Sequence, residues 1–116
     1  GIRISEYDMA SYFTSKAAMN QLTRAIALKY ADKGIRANAI LPGLMNTPMV
    51  SGNKGMQGHH GDAEKQLAQR HAMSPTGRMG DAWDVAHAAV FLASPFAGYI
   101  NGVLLPIDGG LSCLAR

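Results

Sequence analysis

Two short apolar runs, far apart in the chain, set the strongest limit on its fold. Ile35 to Leu41 (IRANAIL) lies between Gly34 and Pro42, and Val103 to Ile107 closes on Asp108-Gly109-Gly110. Each has the length and the boundaries of a buried strand. Strands separated by about sixty residues, with helical sequence between them, pair in parallel through a right-handed crossover. That is the α/β class. Two strands are too few for an independently stable sheet, three or more being usual. The topology therefore expects sheet neighbours beyond these 116 residues.

Three helices fill the rest. From Ser11 to about Lys33, Ala18, Met19, Leu22, Ala25, Ile26 and Lys29 follow helical spacing and form one apolar stripe with a polar end. Gly34 stands where a left-handed residue ends such a helix. Asp62 to Ala72 reads as a short helix with Asp62 as N-cap and Leu67 facing inward. The third starts at Asp81, an N-cap with Asp84 as its capping-box partner, buries Val85, Ala88, Ala89 and Leu92, and ends near Ser94-Pro95. Trp83, at its start, reads as a packing residue and His87 as a partly buried one. Between strand and second helix, PGLMNTPM is a punctuated loop, and SGNKGMQGHHG carries glycines enough for mobility.

Composition narrows the function classes. Apolar residues make up 47% and charged ones 16%, a globular balance. The net charge of +3 comes from scattered residues without interleaved aromatics, which argues against a nucleic-acid partner. No apolar run approaches the roughly 20 residues of a membrane span. A single cysteine, Cys113, rules out an internal disulfide and fits a cytoplasmic setting. His59 and His60 invite a metal reading with Asp62 or His71, but adjacent histidines in a glycine-rich loop are ordinarily solvated, and no metal is expected.

The stretch YFTSK brings in chemistry. Tyr12 and Lys16 stand four apart at the head of a helix, so they share a face one turn apart. A free phenol titrates near pH 10, so a tyrosine that exchanges protons near neutrality needs positive charge beside it. One ammonium about 5 Å away, at an effective dielectric near 20, supplies about 3 kcal/mol, less than the roughly 4 kcal/mol required. A second positive charge would complete the pair as a proton donor.

With NAILPGLMNTPM and GRMGDAWDVAHAAVFLASPFAGYINGVLLPIDGG in the same order, YFTSK resembles the Tyr-x-x-x-Lys motif of the short-chain dehydrogenase/reductase family. The other two stretches are similar to that family's strand with Pro-Gly-x-x-x-Thr and to its final helix and strand ending Asp-Gly-Gly. The resemblance implies the C-terminal part of a Rossmann-type, doubly wound parallel sheet, with the N-terminal nucleotide-binding half absent. It divides the chain into the Tyr/Lys helix (1–34), a strand with a nicotinamide-side loop (35–48), a variable substrate lid (49–80, its approach beginning at Leu44), and the last helix and strand (81–116). It also implies hydride transfer between NAD or NADP and an alcohol or ketone. Tyr12 would be the general acid/base. Lys16 would set its charge beside the phenol and bond the nicotinamide ribose, and the oxidised nicotinamide would carry the second charge. Pro42, Gly43, Met45 and Thr47 would border the nicotinamide. A homo-oligomer, dimer or tetramer, is the implied assembly.

The departures from the family pattern are as informative. No Gly-x-x-x-Gly-x-Gly loop is present, and the family's substrate-orienting Ser would fall before Gly1; Ser5 and Ser11 are not at its spacing. The chain opens without Met and enters the Tyr/Lys helix almost at once, as a piece of something longer would. The expectation is a catalytic parent and a 116-residue chain inactive alone. The competing reading is a non-catalytic piece that associates with other subunits and binds no cofactor. Residues that choose between NAD and NADP lie outside the sequence. Met45, Met49, Met56 and Met73 around the lid suit an adaptable, moderately apolar pocket.

Overall fold

The structure, a computed structural model, describes residues 9–48 and 60–115. Among them the order is α1 (Ala10–Lys29), β1 (Ala39–Pro42), α2 (His60–Ala72), α3 (Ala82–Ala93) and β2 (Leu104–Ile107), with 3-10 turns at Ala31–Lys33, Pro95–Ala97 and Leu111–Cys113. β1 and β2 form a two-stranded sheet. Ala39 N–H donates to the Val103 carbonyl (2.9 Å) and Gly43 N–H to that of Ile107 (3.0 Å), so both strands advance together and the pair is parallel. The α/β class stands. The chain falls into two compact units, residues 1–39 with 94–105, and residues 40–93 with 106–116.

In the first unit α1 has no side-chain N-cap and no acid in its first turn, but Lys29 sits in its last turn, where a cation complements the helix dipole. Gly34 adopts φ +73° after the 3-10 turn, the left-handed ending its position requires. The side of α1 that is covered differs from the expected stripe. Asn20, Thr23 and Ile26 are half-buried and Ala27 is 4% exposed, whereas Met19 and Leu22 are 50% and 58% exposed. Ala27 is the contact residue because the chain passes close there. Asn101 Nδ2 donates to the Ala27 carbonyl (2.9 Å), and a Cβ on Gly102 would lie 3.4 Å from that of Ala27.

The first strand also starts later than Ile35. Ahead of Ala39 one backbone bond remains, Gly102 N–H to the Ala37 carbonyl (2.8 Å), and side chains supply the rest. Ala37 N–H donates to Asn101 Oδ1 (3.0 Å), Asn38 donates to the Ile100 carbonyl and accepts from Val103 N–H, and Arg36 reaches the Ile100 carbonyl. The strand is half-buried rather than buried.

In the second unit Asp81 caps α3. Its Oδ1 accepts from Trp83 N–H (2.9 Å) and Asp84 N–H (3.1 Å), and Asp84 Oδ2 accepts from Asp81 N–H (2.9 Å). This is a reciprocal capping box, as the sequence indicates. Arg78 reinforces it by donating to Asp84 Oδ2 at 3.1 Å. Along α3, Leu92 is buried and Val85 and Ala88 half-buried, but Ala89, His87 and Trp83 are exposed. α2 begins at His60, so Asp62 lies in its first turn, where an acid favours the dipole, rather than at the cap. Leu67 is half-buried.

Two outcomes follow. Buried apolar residues are few among those described (Ala27, Met79, Leu92 and Ala97), while Leu28, Phe96 and Tyr99 are nearly fully exposed. The isolated chain should therefore self-associate at micromolar concentration; a monodisperse monomer with a cooperative thermal transition in sedimentation and calorimetry would contradict this. The second concerns acid. The Arg78 side chain first, then the Asp81 N–H, hold the Asp84 carboxyl below its ordinary value of 3.8. A depressed folded value means the stabilisation is complete above the ordinary value and lost as pH falls through the depressed one. Amide exchange at Asp81 should accelerate on acidification through that window and be fast at every pH in Asp84→Asn, relative to intrinsic rates; identical profiles would refute the role of Asp84.

Candidate functional site

Tyr12 and Lys16 belong to the first turns of α1, in the first unit. No β-branched residue separates them except Thr14, so the helix runs through both without a break. The Lys16 ammonium lies 5.5 Å from the centre of the Tyr12 ring, a cation set beside the phenol's own π system. Phe13 meets the Tyr12 ring edge-on at 5.8 Å. Tyr12 is half exposed, 49%, and Lys16 is exposed. One face of one helix therefore offers a hydroxyl that can give or accept a proton and an ammonium with three N–H donors.

Pro42, Gly43, Met45 and Thr47 belong to the second unit, on the stretch that leaves β1. Gly43 is required by contact rather than by dihedral angle. A Cβ there would fall 2.5 Å from the Asp108 Cβ and 2.8 Å from its Cα. Asp108 in turn fixes the double-glycine bend, accepting from Gly110 N–H (3.0 Å) and Ser112 N–H (2.9 Å). Hydrogen bonds from Ser112, and then from Gly110, hold its carboxyl below the ordinary range. Gly109 and Gly110 take φ +61° and +86°, where a side chain is strained.

Beyond Gly43 the loop is clamped from its other side. Gly80 N–H donates to the Leu44 carbonyl (2.9 Å) and Asn46 N–H to the Gly80 carbonyl (2.8 Å), making a parallel bridge between Met45 and Gly80. Gly80 leaves room for the Met45 side chain, whose Sδ lies 2.8 Å from where a Cβ would stand. Thr47 is half-buried. A cavity of about 360 Å³ opens beside this loop, lined by Met45, Ser74, Thr76, Arg78, Asp84 and the turn at Asp108. Its polar groups are bonded to one another: Ser74 Oγ to Thr76 Oγ1 (2.9 Å), Thr76 Oγ1 to the Arg78 carbonyl (3.0 Å), and Arg78 to Asp84.

Of the candidate site residues Tyr12, Lys16, Pro42, Gly43, Met45 and Thr47, Met45 alone lines this cavity. Ser74, Thr76 and Arg78 were hidden in SPTGRMG, which reads as a break. The usable signal was a Ser, a Thr and an Arg spaced by two in a glycine-containing loop, the pattern of side chains that bond their own backbone. Met49, Met56 and His59 lie outside the described residues. Among the described residues, no helix is long and apolar enough to cross a membrane.

Comparison with known proteins gives this geometry a family. The model of a family described as enoyl-(acyl carrier protein) reductase matches residues 2–112. The chain is 44% identical over 103 residues to the 2,5-dichloro-2,5-cyclohexadiene-1,4-diol dehydrogenase LinX of Sphingobium indicum, covering 89% of this chain and 38% of LinX. It is 45% identical over 103 residues to 3beta-hydroxysteroid dehydrogenase 1 of Eggerthella lenta, covering 89% of this chain and 37% of that enzyme. Among solved structures, ligand-free aldohexose dehydrogenase of Thermoplasma acidophilum superposes with a TM-score of 0.85 at 36% identity, over 97% of this chain and 44% of that one. A short chain dehydrogenase family protein of Francisella tularensis gives a TM-score of 0.77 at 27% identity, over 96% of this chain and 47% of that one. The chain thus spans less than half the length of the relatives it matches. By the match over residues 2–112, the parallel pair and the kinship with dehydrogenases, the chain belongs to the short-chain dehydrogenase/reductase family.

Proposed function

We propose that this chain supplies the proton-donor side of an NAD(P)-dependent oxidoreductase acting on an alcohol or ketone. Tyr12 is the general acid/base, and Lys16 is the cation that assists it. The observation that carries this reading is the placement of the Lys16 ammonium 5.5 Å from the Tyr12 ring on an exposed helix face. The donor set also fits a nicotinamide cofactor: an exposed ammonium with three N–H groups suits the paired hydroxyls of a ribose, and a phenol suits a carbonyl oxygen. Bound NAD or NADP supplies or accepts the hydride. In the reductive direction Tyr12 gives its proton to the substrate oxygen as charge develops there; in the oxidative direction it takes that proton away. Lys16 sets its charge beside the phenol and orients the ribose.

Pro42, Gly43, Met45 and Thr47 border the nicotinamide in this reading. The clamped backbone from Gly43 to Asn46, fixed by Ile107 on one side and Gly80 on the other, supports it by offering a rigid edge. The names of the relatives concern a diol, a hydroxysteroid and an aldohexose, which supports an alcohol or ketone as substrate. The 116 residues alone do not carry out the reaction, since the glycine-rich phosphate loop is not among them. The enzyme is cytoplasmic and homo-oligomeric. A second reading, an association module without cofactor, is favoured by the exposed Met19, Leu22 and Leu28 of α1.

Lys16 substitutions separate the two readings, assayed in a polypeptide that joins this chain to a nucleotide-binding half. Lys16→Ala should raise the cofactor KM and lower kcat, because ribose contact and the charge beside Tyr12 are lost together. Lys16→Arg keeps the charge but has a wider, planar head, so it should preserve kcat better while still weakening cofactor binding. An unchanged kcat and KM in Lys16→Ala would refute the catalytic reading and leave association.

A further inference from the structure

His71 closes α2, and its ring is bonded away from the helix that carries it. Met79 N–H donates to His71 Nδ1 at 2.9 Å. The Nδ1 that accepts this bond does so with its ring lone pair. Met79 is 3% exposed, so its N–H, deprived of that acceptor, would have little water to turn to. The next residue, Gly80, is the one whose N–H and carbonyl pair with Leu44 and Asn46, and against which the Met45 sulfur packs. One continuous set of contacts therefore runs from the last turn of α2, through Met79 and Gly80, to the stretch leaving β1.

We propose that His71 is a positioning residue for the loop from Leu44 to Thr47. Its Nδ1 lone pair fixes Met79, Met79 sets the register of Gly80, and Gly80 sets the path of the Leu44–Asn46 backbone. The proposal rests on the reading of that loop as the nicotinamide side. His71 touches neither cofactor nor substrate. It acts on cofactor binding by keeping the loop's edge in one place, and it ties that edge to α2, in the segment read from the sequence as the substrate lid. An acceptor one bond from Cγ is all the role demands, so Asn, whose Oδ1 takes the place of Nδ1, satisfies it and Ala does not.

The test uses the same two-part polypeptide, with amide exchange and steady-state kinetics on His71→Ala and His71→Asn. His71→Ala should speed exchange at Met79, Gly80 and Asn46 by about tenfold or more, the scale of one lost buried hydrogen bond. It should raise the cofactor KM by about tenfold while kcat changes by less than about threefold. His71→Asn should restore both. Unchanged exchange at Gly80 and Asn46 in His71→Ala overturns the proposal, as does failure of Asn to restore them, or altered exchange with an unaltered cofactor KM. A wild-type polypeptide with no cofactor-dependent rate refutes the proposed function instead, and the exchange pattern still decides whether His71 fixes the loop.

Discussion

Gly43 lies against Asp108 so closely that no side chain fits between them, and much of the second unit depends on that contact. A Cβ at Gly43 would come within 2.5 Å of the Asp108 Cβ. Parallel pairing is what brings the two residues together: when strands run the same way, the turns that follow them emerge at the same edge. Gly43 N–H completes the ladder on Ile107, and Asp108 then bends the chain through two left-handed glycines. The first turn carries Pro42 to Thr47 outward, and the second walls one side of the neighbouring cavity. In open α/β sheets this edge, beyond the carboxyl ends of the strands, is where ligands are bound.

The clamp on the far side is built differently. The path of Leu44 to Asn46 is held by Gly80, and Gly80 by its neighbours Met79 and Asp81, one bonded to an imidazole and the other part of a capping box. Backbone groups do the positioning, and side chains that reach past their own element hold the backbone. Such an arrangement holds this edge in place with little apolar burial, consistent with the few buried side chains among the described residues.

Local signals were legible in the sequence where one residue type has one physical use. Gly34 takes the left-handed ending and Asp81 and Asp84 form the capping box, because each solves a problem within four residues of itself. The two strands and their parallel pairing were legible from length and separation. What was hidden depends on distant partners. Strand β1 starts at Ala39 because Asn101, more than sixty residues away, takes the Ala37 N–H. The covered edge of α1 follows Ala27 rather than the apolar stripe because Asn101 and Gly102 meet it there. His71 carried no signal at all: an imidazole accepting one amide looks the same in sequence as a solvated one. In the candidate site, the Tyr12–Lys16 pair was readable from spacing, whereas the cavity that Ser74, Thr76 and Arg78 line was not, since its walls come from segments distant in the sequence.

The proposed chemistry turns on one hydroxyl. Tyr12→Phe keeps the ring, the packing against Phe13 and the cation beside it, and removes only the hydroxyl proposed as the proton donor. The most direct measurement is kcat together with the cofactor dissociation constant for Tyr12→Phe, in a polypeptide that joins this chain to a nucleotide-binding half. General acid/base catalysis predicts a fall in kcat of about 10²- to 10⁴-fold with the dissociation constant nearly unchanged. A variant that keeps more than about a tenth of the rate would contradict the assignment of Tyr12 as the proton donor.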